Sequence, residues 1–193
     1  MEFSGSVVGA WAVGGALLLS SVRAALLWRT SSRVDVVNAV VLGSLAEGRT
    51  RDLEAVLTHA GTGAYLPIAR ALCRAWQNFD ATHDADLHKS LEREARRALL
   101  QATRRLRRWS WLDHGALLGI LAAGLSPFTG AASGILALEL VAATLLWLSN
   151  LYGARSQALR LVAGATALVE SLVAAEQHLP TSRPTRAGKT TLA

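Results

Sequence analysis

Residues 109–155 read WSWLDHGALLGILAAGLSPFTGAASGILALELVAATLLWLSNLYGAR. Between Asp113 and Arg155 this stretch holds a single formal charge, Glu139, and it is interrupted by Pro127, Gly130 and Gly134 beside Ser126, Thr129 and Ser133. Pro and Gly clustered with small hydroxyl residues make a turn, so the stretch predicts a hairpin of two apolar helices. The first arm, about Trp109 to Ser126, is short for a membrane span, and Asp113 and His114 put its start at an interface or against other protein. The second arm, about Ser133 to Leu151, is long enough to cross the roughly 30 Å hydrocarbon core.

Working outward, Phe3 to Val22 is another uncharged run, rich in Val, Ala, Leu and Gly, closed by Arg23, Trp28 and Arg29. A secretory signal peptide is the competing reading, but basic residues follow the run rather than precede it, which favours a retained span. Arginines then set the orientation. Arg23 and Arg29 follow the first span, Arg104, Arg105, Arg107 and Arg108 precede the second, and Arg155 follows the third, whereas the turn carries no charge. These are the basic residues expected at the membrane interface, and their placement puts the N-terminus outside and the C-terminus in the cytoplasm.

The remainder is helical in pattern and has no stretch of alternating period. Val36, Val37, Val40, Val41 and Leu45 recur at helical spacing before Gly48; Thr50 can cap a short helix with Leu53, Val56 and Leu57. A third helix follows from about Leu66 to Phe79. A fourth begins near Thr82 or Asp84, carries Leu87, Leu91, Ala95, Leu99 and Leu106, and meets no breaker before the second span, so one long helix entering the membrane is expected. The fold expected is thus an all-α membrane protein of three transmembrane helices: a first span in 1–28, a helical cytoplasmic insert in 29–108, a hairpin of two spans in 109–154, a helical extension in 155–179 and a disordered basic tail in 180–193.

Composition agrees with a membrane class. The 193 residues are 51% hydrophobic, 6% aromatic and 18% charged, with a net charge of +6. Mean hydropathy is +0.30. Cys73 is the one cysteine, which excludes an internal disulfide framework, a cysteine-based zinc knuckle and an iron–sulfur cluster.

Gly188-Lys189-Thr190 resembles the end of a phosphate-binding loop, but Arg183 stands where the loop needs glycine. His83, Asp84, Asp86 and His88 could suggest a metal site, yet histidines five apart on a helix are about 140° apart, and a solvated first turn explains the acids better. The arginines of 93–108 could bind nucleic acid, but beside a span they fit anionic lipid better. Nothing resembles a nucleophile with its base, so no enzyme, cofactor or metal is expected. Gly115, Gly119 and Ala123 form a small-residue face suited to packing between helices or subunits. Glu139 is the sharper signal, because an ionisable group inside an apolar span is costly unless it faces protein or water. Its plainer explanation is a protonated carboxyl bonded to a neighbouring helix.

The layout resembles the MotA/TolQ/ExbB proton-channel family, in its TolQ and ExbB branch, over most of residues 5–175. Leu45-Ala46-Glu47-Gly48 to Trp76 is similar to the family's small-helix region, and Ser149-Asn150-Leu151-Tyr152-Gly153-Ala154-Arg155 to the segment leaving its third span. Glu139 and Thr144 match the spacing of the family's third-span glutamate and threonine, whereas Ala123 stands where the second span has a pore threonine. The resemblance implies a bacterial inner-membrane homopentamer whose Glu139 and Thr144 line an ion path around a TolR/ExbD-like single-span partner. Proton-motive force would drive energy transduction through that partner. A non-conducting scaffold of the same fold is the alternative.

Overall fold

The computed structural model describes residues 3–31, 33–49, 53–59, 63–79, 86–125 and 133–178, and every regular element among them is a helix. In order they are α1 (Phe3–Thr30), α2 (Val34–Ala46), α3 (Leu53–His59), α4 (Leu66–Gln77), α5 (Leu87–Arg107), α6 (Ser110–Gly124) and α7 (Ser133–His178). The Thr50 cap, the His83–Asp84 pair, the turn at 126–132 and the basic tail lie outside the described residues.

Local chemistry sets the helix ends. Gly48 adopts φ +71°, its N–H donates to Leu45 O, and the Arg49 N–H donates to Ser44 O, so the left-handed glycine closes α2 and occupies its last carbonyls. Pro67 stands in the first turn of α4, where its missing N–H costs nothing. The Asp86 carboxylate accepts from the Lys89 N–H at 3.2 Å and caps α5. That bond, with the Lys89 side chain, holds the Asp86 carboxyl below its ordinary range.

Two halves result. Leucines and valines of α2, α3, α4 and α5 bury one core against the C-terminal part of α7, centred on Leu53, Leu57, Ile68, Leu72, Leu91, Leu161, Leu168 and Leu172. The other half groups α1, α6 and the N-terminal part of α7. Many of its buried residues are small or polar, including Ala16, Ser20, Ala116, Ala123, Ala143 and Asn150 beside Val13, Leu27 and Leu112, while Leu18, Leu118, Ile135, Leu138, Val141 and Leu145 are exposed. Among the described helices α7 is the one that runs through both halves, and its 46 residues extend about 69 Å.

Two stretches, Val7–Ala46 and Gly134–Gln177, are long and apolar enough to cross a membrane, with mean hydropathies of 1.6 and 1.7 over their most apolar windows. A core helix of a soluble protein that is this apolar is mostly buried, whereas 11% of the α7 window is. Helix α6, at 15 residues, is about 22 Å long and short for an independent crossing.

One expectation is corrected. The long helix entering the apolar half is not continuous: α5 ends at Arg107, a turn at Arg108–Trp109 follows, and α6 starts at Ser110. No Gly or Pro marks the break. Helix α5 packs on α4 and α7 whereas α6 packs on α1 and α7, so the interruption lets each helix turn its own buried face toward different neighbours.

Candidate functional site

The packing of the apolar half can be followed by register. Along α6, Asp113 meets Arg23, a Cβ at Gly115 would sit 2.9 Å from Leu19, and one at Gly119 would sit 2.9 Å from Ala12 O and 3.0 Å from Ala16. Numbers fall on α1 as they rise on α6, so the two helices are antiparallel. The small-residue face at Gly115 and Gly119 is therefore occupied within the protomer, where it lets α1 and α6 approach closely. Ala123 is fully buried. Helix α7 runs the other way: Asn150 Nδ2 donates to Ser20 O at 2.8 Å and Gln157 Nε2 to Leu27 O at 2.8 Å, with 130 residues between the partners in each case. It is parallel to α1.

Polar side chains fasten this half. Arg23, expected among the interface arginines, is 3% exposed. Its Nε lies 3.2 Å from Asp113 Oδ2 and its Nη1 donates to Leu106 O at 3.4 Å. At this burial a lone guanidinium is untenable, and Asp113 neutralises it. Asp113 Oδ1 has no hydrogen-bond partner among the described residues, so the pair is held by charge more than by an aligned network. Trp147 Nε1 donates to Asp113 O at 3.0 Å and ties α7 to the same place.

Glu139 stands six residues into α7, in its second turn, rather than at the middle of the apolar run. The offset that pairs Asn150 with Ser20 sets it level with Gly9, near the last turn of α6. It is half-buried, one turn before the fully buried Ala143 on the face toward α1 and α6, and no described side chain pairs with it. The Thr144 hydroxyl donates to Leu140 O of its own helix at 2.8 Å. A regular helix puts Glu139 and Thr144 about 140° apart, so the two do not share one line along α7.

The remaining arginines gather at the other end. Arg29, Arg105 and Arg108 line a cleft of about 700 Å³ between α1, α4 and α5, with Arg23 at its inner wall. Arg104, Arg107 and Arg155 are exposed outside it. Deeper in the helical insert, the Tyr65 hydroxyl lies 2.7 Å from both Asn38 Oδ1 and Gly164 O, and Asn38 Nδ2 donates to Gly164 O at 3.2 Å. Burial raises the Tyr65 hydroxyl above its ordinary range and pushes the Cys73 thiol up to about 12. Among the described residues no group of three or more His, Cys, Asp or Glu side chains could hold a metal.

The pairing of Arg23 with Asp113 and the roles of Asn150 and Gln157 were not foreseen from sequence. A signal existed, since opposite charges stand at the matching ends of two adjacent antiparallel apolar helices. No protein family, curated protein or solved structure matches the chain.

Proposed function

We propose that the chain is an oligomeric subunit of the bacterial inner membrane, of the TolQ/ExbB kind. It holds the single membrane helix of a TolR/ExbD-like partner and couples proton movement past Glu139 to displacement of that helix. The observation that carries this reading is α7, one unbroken 46-residue helix with Glu139 near one end and the Leu161–Leu172 core contacts near the other. A side chain that changes charge at one end of such a rod can bias packing at the other. Protonation removes the charge of Glu139 and so changes its preference between wet and dry surroundings. The uncovered apolar residues of α1 and α7 suit lipid and neighbouring subunits, and the buried Arg23–Asp113 pair keeps α1 and α6 in register.

A second reading, a non-conducting scaffold, is favoured by the hydroxyl inventory. Thr144 spends its proton on Leu140 O and Ala123 offers none, leaving few polar groups around Glu139. Native mass measurement on the complex purified in mild detergent separates these readings. A homo-oligomer, five copies on the family layout, together with a single-span chain bearing an intramembrane Asp supports the proton-driven subunit. A homo-oligomer alone supports the scaffold, and a lone protomer overturns both.

A further inference from the structure

We infer that the cleft between α1, α4 and α5 is a binding site for a phosphate group, and that its occupant is the headgroup of an anionic phospholipid. Two of the five arginines that line it are already neutralised, Arg23 by Asp113 at 3.2 Å and Arg97 by Glu94 at 3.5 Å. Arg29, Arg105 and Arg108 have no carboxylate partner among the described residues. They come from two separate elements, the last turn of α1 and the end of α5, so the fold brings three uncompensated guanidiniums around one concavity. Like charges held together this way repel, and an anion that accepts paired N–H bonds relieves the repulsion. The volume, about 700 Å³, falls within the range of small-molecule sites, about 300–1,000 Å³.

The position of the cleft selects the source of the phosphate. The α1–α6 register sets Arg108 and Trp109 level with Leu26 to Trp28, where the apolar half ends. Trp28 is 85% exposed, and Trp109 and Trp111 are exposed beside it in that register. Exposed indoles at one level, just beyond an apolar stretch and beside arginines, are the arrangement of a lipid headgroup zone. A phosphate held there sits between the apolar half and the helical insert and joins α1 to α5.

This inference rests on membrane placement of α1 and α6 but not on proton coupling, because lipid binding in detergent requires neither the partner nor a proton gradient. Full-length protein in mild detergent is titrated with phosphatidylglycerol, phosphatidylcholine and inorganic phosphate, and binding is followed by the thermal unfolding midpoint and by lipid retained in native mass spectra. Phosphatidylglycerol should bind and raise the midpoint, with the other two far weaker. Arg29→Gln and Arg105→Gln, each at an exposed side chain without a protein partner, should weaken phosphatidylglycerol about tenfold, the loss of one charge-assisted bond. Arg104→Gln and Arg107→Gln, with the same charge loss outside the cleft, should leave affinity unchanged. Equal weakening by both pairs of variants, or equal binding of the two lipids, overturns the site. Inorganic phosphate binding as tightly as phosphatidylglycerol assigns the cleft to a soluble phosphate and overturns the lipid.

Discussion

Arg23 and Asp113 are the residues on which the apolar half depends most. A buried ion pair adds little net stability over an apolar pair of similar volume, yet removing one partner strands the other charge. Arg23→Gln or Asp113→Asn alone should therefore destabilise by about 3–5 kcal/mol, whereas Arg23→Met with Asp113→Leu should recover most of the loss; thermal unfolding in detergent checks both. The sequence carried each residue but not the pair, because 90 positions separate them and Arg23 also fits the run of interface arginines. Gly164 was equally silent: a Cβ there would overlap the Val34 side chain, a close approach that periodicity does not reveal. Cys73 was legible, since its place on an apolar helix face predicts a small core residue and it is 2% exposed. With its thiol pushed up to about 12, the reactive thiolate is scarce below that pH, and burial blocks access. Alkylation at about pH 8 should be negligible in native protein and complete after unfolding, as read by mass.

At the scale of elements, periodicity and punctuation made the helices readable. The apolar runs of α1 and α7, and the glycine that ends α2, are visible in residue order alone. The break between α5 and α6 was not, because it arises from tertiary packing and carries no breaking residue. The continuity of α7 has a direct consequence. Helix α7 runs through both halves and, with the Arg23–Leu106 O bond, couples them, so the two halves unfold together in the native chain. Arg155→Pro removes one helical N–H and clashes with the Leu151 carbonyl, at a cost of about 3 kcal/mol or more. Calorimetry in detergent should show one transition for the native protein and two for Arg155→Pro. A single transition in both would mean that other contacts join the halves.

For the whole molecule, α1 and α7 are parallel, α6 opposes them, and the C-terminal part of α7 shares a core with α2–α5. In a membrane this geometry puts the insert and the end of α7 on one side and the end of α6 with the start of α7 on the other. A cysteine at exposed Gly134, in a Cys73→Ser background, should react with a membrane-impermeant reagent from the periplasm, and one at Asp86 should not; the reverse pattern would invert the orientation. Division of the chain into an apolar half and a helical insert was legible because it follows charge and hydropathy. The position of Glu139 within its helix was legible too, since the expected second arm starts at about Ser133 and α7 begins at Ser133. The most direct test of the proposed function is proton flux into liposomes carrying the complex as purified with its partner, native against Glu139→Gln. Glutamine keeps the shape and hydrogen-bonding capacity but not the titratable proton. The account predicts an assembled complex whose flux is lost in the variant, and undiminished flux through Glu139→Gln would contradict it.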